Sequence, residues 1–482
     1  MAKETVGLKR ISEVCWEIPK TGKMLVPGRI YAGEAMIPDI LRDATLQQVA
    51  NVAQLPGIIK FSYAMPDMHW GYGFPIGGVA AFSMDQGIVS PGGVGYDINC
   101  GCRLLRTNLM AEDIKGALRE LVLALFQNVP CGVGSTGSAK LSKGQTAQVL
   151  SKGSAWAVKQ GYGSAEDLER TEDQGAMPTA DPEEVSDRAY KRGRDQLGTL
   201  GSGNHFLEIG VVDKVYDPAA ADAFGLRKDM VTVLMHSGSR GLGHQVCDDF
   251  LAEMNRESHR LGLELPDRQL ACALLDSPLA KRYLAAMAAA ANFAWANRQV
   301  LTYLIRETFE ETLKAGPAQL GMQLVFDVCH NIAKIESHLV EGTEQRVCVH
   351  RKGATRSLGP GHPGLPEIYR KIGQPVLIPG DMGTHSYVLK GTTRAAEETF
   401  SSTCHGAGRI MSRTQAKKAA KGRAIGRELE DRGIIVRWTG RHTLDEEIPE
   451  AYKNVSEVAE VVDKAGLSTK VARLRPLGVI KG

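Results

Sequence analysis

Long apolar segments are missing from this chain of 482 residues, although 43% of the residues are hydrophobic. The most apolar helical candidate, LAAMAAAANFAWA, is interrupted by Asn292 and is too short to span a bilayer. The opening segment MAKETVGLKRISEVCWEIPK also lacks the apolar core of a signal peptide. We therefore expect a globular protein that does not span a membrane and is located in the cytoplasm.

An excess of charge of one sign and a paired set of cysteines are also missing. The 58 basic and 55 acidic residues give a net charge of only +3, so any surface that binds nucleic acid has to be local. The nine cysteines are odd in number and widely spread, which does not fit a disulfide framework or a zinc ribbon. In a reducing compartment we expect free thiols that are either buried or chemically used.

Repeats, low-complexity linkers and long charge blocks are absent, so nothing marks a domain boundary, and we treat residues 1–482 as one domain. Glycine, in contrast, is abundant. The 53 glycines gather around polar clusters such as HWGYGFPIGG, GTLGSGNH, HSGSRGLGH and HGAGR, which predict shaped loops.

Helical periodicity is clearest over residues 112–129, 279–313 and 413–433. Five short β-rich segments predict strands: VTVLMHSGS, MQLVFDVCHN, RVCVH, QPVLIPGDMG and IIVRW. The first three lead directly to a histidine. Helices and strands do not alternate regularly enough for a doubly wound sheet. The pattern therefore favours the α+β class.

The loop GGVGYDINCGC places Asp97 and Cys100 three residues apart among glycines. On a regular strand the two side chains would face opposite sides, so only a turn, which the glycines permit, could bring their ligand atoms together. A thiolate beside a carboxylate makes sense if a divalent cation lies between them. Taken alone, however, such a pair is more often a buried structural cysteine beside a capping aspartate.

Four histidines follow similar glycine-rich or β-rich segments: His205, His236, His330 and His405. Each one alone is more often a hydrogen-bonded structural residue than a ligand. Together with Asp97 and Cys100 they form a mixed nitrogen, oxygen and sulfur set. Five or six ligands are too many for one tetrahedral site but suit two metal ions that share a thiolate, for which zinc, iron or cobalt would be the first choice.

Seven motifs together resemble the RtcB family of RNA-splicing ligases: MPDMHWGYGFPIGG, GGVGYDINCG, GSGNHFLEIG, MHSGSRGLGH, DVCHNIAK, CHGAGR and VARLRPLGVIKG. The resemblance runs from about residue 20 to the last residue. It implies one large α+β domain with mixed sheets surrounded by helices. It also implies a GTP- and manganese-dependent ligase that joins RNA 2′,3′-cyclic phosphate or 3′-phosphate ends to 5′-hydroxyl ends, in tRNA splicing or RNA repair. A monomeric state and archease as an activating partner are further expectations.

The resemblance also assigns roles to individual residues. Asp97, Cys100 and His205 would hold one of two manganese ions, and His236 and His330, with Cys100 as the bridge, would hold the other. His405 would be the nucleophile that carries GMP. The implied nucleotide site comprises Asn204, His205, Phe206, Leu207, Glu208, His330, Asn331, Pro379, Gly380, Asp381, Met382, Ser386, His405, Gly406, Ala407, Gly408 and Lys481.

Glu208 suits guanine, because its carboxylate can accept hydrogen bonds from the N1 and N2 groups of the base. Asn204, Phe206 and Glu208 alternate, so on a strand they would share one face and leave His205 on the other. That conflict disappears only if the regular strand begins after His205. Lys481 would ordinarily be part of a frayed terminus, and only the resemblance makes it a nucleotide ligand.

Two basic clusters are candidates for RNA contacts. Arg413, Lys417 and Lys421 recur at four-residue spacing and would line one helical face, although a solvated face is an equally good explanation. The second cluster, which we favour slightly, comprises Arg188, Lys191, Arg192 and Arg194. Cys102, Cys329 and Cys404 adjoin proposed site residues and are expected to fill apolar space.

Two other classes of function stay open. A two-metal phosphodiesterase or phosphatase without ligase activity would need the same five metal ligands but neither His405 nor the guanine-matched Glu208. A non-catalytic RNA-binding or metal-storage protein would not need a guanine pocket at all.

Overall fold

The computed structural model describes residues 7–260 and 262–482, with the backbone alone for residues 441 and 442. We number the β-strands in chain order: β1 Lys9–Arg10, β2 Cys15–Ile18, β3 Gly28–Tyr31, β4 Ile58–His69, β5 Ile76–Ser83, β6 Ile88–Val89, β7 Gly101–Met110, β8 Phe206–Val215, β9 Met230–Ser237, β10 Ala273–Leu274, β11 Gln323–Cys329, β12 Asn331–Val340, β13 Thr343–Lys352, β14 Ala354–Arg356, β15 Pro375–Ile378, β16 Ser386–Gly391, β17 Ser402–Cys404, β18 Ile435–Trp438 and β19 Ser468–Lys481.

The α-helices are numbered in the same way: α1 Ile37–Arg42, α2 Thr45–Val52, α3 Ala111–Ile114, α4 Leu118–Asn128, α5 Lys143–Lys152, α6 Ser154–Lys159, α7 Ala165–Glu169, α8 Asp187–Gly193, α9 Pro218–Ala223, α10 Arg240–Arg260, α11 Pro278–Leu313, α12 Pro317–Leu320, α13 Thr393–Thr399, α14 Arg413–Ala420, α15 Ile425–Asp431, α16 Arg441–Glu446 and α17 Val455–Ala465. Within the described ranges, no helix is long and apolar enough to cross a bilayer.

Two large mixed sheets organise the fold. One has seven strands in the order β1-β2-β3-β4-β5-β13-β12, and the other has eight, β11-β7-β9-β8-β19-β16-β15 with β18 beside β19. Pairing is antiparallel except for β3 with β4 and β18 with β19, which are parallel. Helices and strands are both present without regular alternation, so the α+β prediction is confirmed.

Helix α11 forms the centre of the largest apolar core and confirms the helix predicted over residues 279–313. Asn292 does not interrupt it, because the buried amide donates to the Leu150 carbonyl at 2.8 Å and accepts the Met177 N–H at 2.7 Å. The same helix carries Arg298, which is fully buried and forms an ion pair with Asp327 at 2.8 Å. Arg298 also donates to the Asn99 carbonyl, in the loop that contains Asp97, at 2.8 Å.

The five predicted strands are confirmed, but two helix predictions need correction. The segment 112–129 is divided into α3 and α4 around Gly116, and the segment 413–433 into α14 and α15 around Gly422, whose φ is +83°. The apolar periodicity continues across both breaks and therefore predicted one helix in each segment. Glycine is unfavourable inside a helix, which explains why each segment is divided near its glycine. Lys421 therefore lies beyond the end of α14, and the three-residue basic face predicted there is wrong.

Candidate active site

A cavity of about 1590 Å³ lies between the two large sheets and collects residues that are distant in the sequence. Asp97, Cys100, His205, His236, His330 and His405 all line it. The residues expected to bind the nucleotide line it as well, with the exceptions of Leu207 and Ser386. The structure therefore brings nearly all of the predicted site together in one place.

A tight turn makes the side chains of Asp97 and Cys100 converge. The Cys100 N–H donates to the Asp97 carbonyl at 2.9 Å. The left-handed residue in this turn is Asn99, with φ +52°, and not one of the glycines that we expected. Asn99 tolerates this conformation because its amide donates to the Ala291 carbonyl at 2.7 Å, and Arg298 donates to its backbone carbonyl at 2.8 Å.

Two groups of three residues offer converging ligand atoms, and they share Cys100. The first comprises Asp97, Cys100 and His205, and the second Cys100, His236 and His330; within each group all ligand atoms lie within 4.8 Å of one another. Cys100 Sγ is 3.4 Å from His205 Nε2 and 3.1 Å from His236 Nε2. His205 Nε2 lies 2.8 Å from Asp97 Oδ2.

The electrostatics of these groups suit cations. Burial lowers the pKa of His205, and lowers those of His236 and His330 far more, so the imidazoles are neutral and keep lone pairs for a metal ion. Burial opposes ionisation of Asp97, but His205 beside it holds the pKa of the carboxyl below its ordinary value. Burial and the nearby Asp97 carboxylate raise the pKa of the Cys100 thiol. A divalent cation bound to Sγ would lower this pKa and stabilise the thiolate.

Strand geometry positions each histidine differently. His205 immediately precedes β8, so the predicted conflict with the alternation of Phe206 and Glu208 does not arise. His236 lies within β9 rather than beyond its end, and its Nε2 is 3.1 Å from that of His330. His330 joins β11 to β12, and this junction is fixed by the Glu172 carboxylate, which accepts the Cys329 N–H at 2.8 Å.

His405 follows β17 and has a partner that the sequence analysis did not identify. Its Nδ1 lies 2.5 Å from the Asp67 carboxylate, which also accepts the backbone N–H groups of His405 at 2.8 Å and Gly406 at 3.2 Å. The Nε2 side of the ring faces the cavity. The ring centroids of His405 and His330 are 4.7 Å apart. The available signal was a lone carboxylate within the otherwise apolar strand segment YAMPDM.

Glu208 is buried in a pocket beside this cluster. Burial, reinforced by Asp381, raises the pKa of the Glu208 carboxyl to about 8. Ser386 does not line the cavity itself, but its hydroxyl donates to Glu208 Oε1 at 3.5 Å. Leu207 points to the opposite face of β8 and packs in an apolar core, so its side chain is not part of the pocket.

Lys481 is the last residue of β19 and is buried rather than frayed. Its Nζ donates to the Gly203 carbonyl at 2.9 Å and lies 3.5 Å from the Glu447 carboxylate. Glu447 is fully buried and also pairs with Arg409 at 3.0 Å. Glu447 and Arg409 could not be predicted as neighbours of Lys481, because no local pattern in the sequence connects them to it.

Comparison with known proteins shows the family of this chain. A family model described as tRNA-splicing ligase RtcB matches residues 48–482. The chain belongs to the RtcB family. Among relatives named tRNA-splicing ligase RtcB, that of Archaeoglobus fulgidus is 54% identical over 98% of this chain and 99% of its own length, and that of Thermococcus kodakarensis is 53% identical over 100% of both. An RNA-splicing ligase RtcB of Mycobacterium tuberculosis is 54% identical over 90% of this chain and 100% of its own length.

In this member of the RtcB family, the three cysteines that adjoin candidate site residues pack in apolar cores. Cys102, Cys329 and Cys404 each belong to a different apolar core, and all nine cysteines are unpaired. Of the residues in the favoured basic cluster, Arg188, Lys191 and Arg192 lie on α8 and Arg194 follows it, and all four are exposed. Arg192 and Arg413 both line the cavity, and Arg413 and Lys417 form ion pairs with Glu446 at 3.6 Å and 2.6 Å.

Proposed function

We propose that this protein is an RNA ligase that joins RNA 2′,3′-cyclic phosphate or 3′-phosphate ends to 5′-hydroxyl ends, in tRNA splicing or RNA repair, with GTP as co-substrate. One observation carries the proposal: a histidine held by a carboxylate adjoins two ligand groups that share a thiol, in the same cavity as a buried glutamate matched to guanine. The combination of these features fits nucleotidyl transfer followed by strand joining.

The ligand groups fit two divalent cations. Asp97, Cys100 and His205 would hold one ion, and Cys100, His236 and His330 the other. Thiolate and imidazole are softer ligands than manganese usually prefers, so we assign manganese from the family resemblance. Two such ions would neutralise phosphate charge and lower the pKa of water for the opening of a cyclic phosphate.

His405 is the proposed nucleophile towards the α-phosphate of GTP. Nδ1–H of His405 donates a hydrogen bond to the Asp67 carboxylate, which leaves the lone pair of Nε2 free to attack. A phosphorus–nitrogen bond forms, the bond to pyrophosphate breaks, and the Asp67 carboxylate stabilises the positive charge that develops on the ring. The product is a histidine–GMP adduct.

Transfer to RNA then restores the histidine. An oxygen of the RNA 3′-phosphate attacks the phosphorus of the adduct, the phosphorus–nitrogen bond breaks, and the RNA end carries GMP through a pyrophosphate linkage. The 5′-hydroxyl attacks the 3′-phosphate, loses its proton and displaces GMP. Activation is needed because an unmodified phosphate monoester has no comparable leaving group.

Glu208 is proposed to select guanine, with Ser386 and Lys481 beside it. Phe206 and Glu208 lie on the same face of β8, and the Phe206 ring centroid is 5.8 Å from Lys481 Nζ. One pocket thus contains the aromatic ring of Phe206, the acceptor Glu208 and the donor Lys481. The exposed residues of α8 are the proposed path for RNA. A monomeric state, archease as an activating partner and a cytoplasmic location belong to this proposal through the resemblance.

The test is a joining assay with one RNA that ends in a 2′,3′-cyclic phosphate and another that begins with a 5′-hydroxyl. We expect joined product only when GTP and manganese are both present, and none with Cys100→Ala, because the shared thiol is lost. A matched control is Cys272→Ala, which removes a buried thiol from the apolar core. Opening of the cyclic phosphate without joining would instead identify the alternative two-metal phosphodiesterase.

A further inference from the structure

A set of aromatic side chains lines the cavity and has no role in the steps above. It comprises Trp70, Tyr72, Tyr96 and His244, and we refer to it as the aromatic wall. The Tyr72 and Tyr96 ring centroids are 5.5 Å apart, and those of Tyr96 and His244 are 5.8 Å apart. Tyr96 directly precedes Asp97, so the wall leads to the candidate metal ligands.

Trp70 is unusual among the tryptophans of this chain. It is 57% exposed, whereas Trp156 and Trp295 are buried and Trp16 and Trp438 are half-buried. Within the described ranges, its indole N–H has no hydrogen-bond partner. Trp70 thus adds exposed aromatic surface to a cavity that three further rings line, and such grouped apolar surface marks a site that a ligand can cover.

The loop that displays Trp70 and Tyr72 is held firmly. Gln48 is buried and donates to the Gly71 carbonyl at 2.6 Å and the Gly73 carbonyl at 3.1 Å, and it accepts the Gly71 N–H at 3.1 Å. Gln269 accepts the Gly73 N–H at 2.9 Å. The buried Gln48 and the half-buried Gln269 thus fix the backbone on both sides of Tyr72 and directly after Trp70. The exposed aromatic surface is built into the fold and does not result from a loose loop.

Charges of both signs lie along the wall. Arg192 lines the cavity near His244, and at the Trp70 end Asp43 accepts the backbone N–H of Trp70 at 3.4 Å while Arg42 lines the cavity as well. Neither end therefore presents charge of a single sign to the phosphates of a nucleic acid. The aromatic faces of the wall suit the uncharged faces of bases.

We propose that the aromatic wall stacks the unpaired bases of an RNA end and so aligns that end with the candidate metal ligands. This inference rests on the proposed function, because it assumes that RNA is the substrate. Aromatic rings stack on any base, which predicts binding with little sequence preference. The bases can come from the 5′-hydroxyl strand or from the 3′-phosphate strand, and the experiment distinguishes the two.

The test measures binding of short single-stranded RNAs by fluorescence anisotropy without GTP. One oligonucleotide carries a 5′-hydroxyl and the other a 3′-phosphate, and each is also prepared with abasic terminal nucleotides. We expect Trp70→Ala and His244→Ala to weaken binding of one intact oligonucleotide by roughly 5- to 150-fold and Trp70→Phe to weaken it less. The effect should vanish with the abasic form. Leu339→Ala, which removes exposed apolar surface on β12, is the matched control.

The outcomes separate this inference from the proposed function. The oligonucleotide that responds identifies the strand that stacks. Equal losses for intact and abasic RNA, or wild-type affinity in Trp70→Ala and His244→Ala, would overturn the stacking role while leaving the ligase proposal standing; a protein that covers the wall would give the second result. Failure of the wild-type protein to bind either RNA would instead contradict the proposed function.

Discussion

At the scale of single residues, the chemistry that we propose for His405 depends on a contact between positions 338 residues apart in the chain. Asp67 accepts from the ring and from two backbone N–H groups, so it fixes both the orientation of the imidazole and the path of the loop that follows β17. Sequence analysis identified the histidine from its motif. It could not identify the aspartate, because the pair exists only after β4 and β17 are packed together.

We predict that Asp67→Asn strongly reduces formation of the GMP adduct. An amide can hold the ring but cannot stabilise a positive imidazole, and loss of an orienting carboxylate costs about 10⁴-fold in a Ser-His-Asp triad. The measurement is the initial rate of covalent labelling by GTP. Asp85→Asn, at an exposed turn, is the matched control. A rate for Asp67→Asn within a few-fold of wild type would show that Asp67 only supports the loop.

A second prediction concerns the protonation of Glu208. With a pKa of about 8, this carboxyl is mostly neutral at pH 7. The N1 and N2 donors of guanine favour the ionised Glu208 carboxylate. Binding of GTP therefore lowers the pKa of Glu208, and below about pH 8 it releases a proton. The affinity for GTP should therefore rise with pH up to about 8 and then level off.

The proton release can be measured directly by calorimetry at pH 7 in two buffers that differ in ionisation enthalpy. We expect the apparent binding enthalpy to depend on the buffer for the wild-type protein and to lose that dependence in Glu208→Gln. Identical enthalpies in both buffers for the wild type would mean that Glu208 does not change protonation when the nucleotide binds.

At the scale of secondary structure, periodicity and composition located α11 and the five strands that were predicted. The departures have local causes. Glycines divide two helical segments, and Asn99 takes the left-handed position that we assigned to a glycine, because Arg298 and the Ala291 carbonyl satisfy its backbone and side chain. Those partners lie on α11, about 190 residues further along the chain, so no local pattern could indicate them.

Gly238 tests how closely the elements around Asp97 fit together. A Cβ atom at this position would lie 2.3 Å from an oxygen of the Asp97 carboxylate. We predict that Gly238→Ala displaces this carboxylate, destabilises the protein by about 1–3 kcal/mol and weakens metal binding by roughly 10- to 100-fold. Thermal unfolding and manganese titration measure the two effects.

Gly144→Ala is the matched control for this change. Gly144 lies in α5, and nothing surrounds the position that its Cβ atom would occupy. Alanine is there expected to be neutral or to stabilise the helix by about 0.5–1 kcal/mol. Equal behaviour of the two variants would show that the contact between Gly238 and Asp97 does not constrain the candidate metal site.

At the scale of the whole molecule, the nearly balanced charge makes RNA binding depend on a few surfaces. We predict that replacing Arg188 and Lys191 together by alanine weakens RNA binding and lowers the salt dependence, by about 0.7 in the logarithmic slope for each phosphate that the protein no longer neutralises. Binding at several salt concentrations gives this slope. The matched control replaces Arg346 and Lys371, which are equally basic and exposed. The same slope change in the control would exclude a local RNA path along α8.

The family motifs contain most of the residues that line the cavity, and all but the first motif carry a predicted site residue. What they could not indicate is how the site is supported. Glu172 behind His330, Glu447 beside Lys481 and Gln48 beneath the aromatic wall belong to different parts of the chain. Their roles depend on which sheets and helices meet, which a single sequence does not specify.

The central claim is that His405 carries GMP on the way to RNA joining. The most direct measurement is incubation of the protein with α-labelled GTP and manganese, followed by denaturation and peptide mapping. We predict one labelled peptide containing His405, an adduct that is labile in acid and stable in alkali, and no label in His405→Ala, which should still join RNA that already bears a guanylylated 3′ end. Label retained in His405→Ala, or an acid-stable adduct at another residue, would contradict the account.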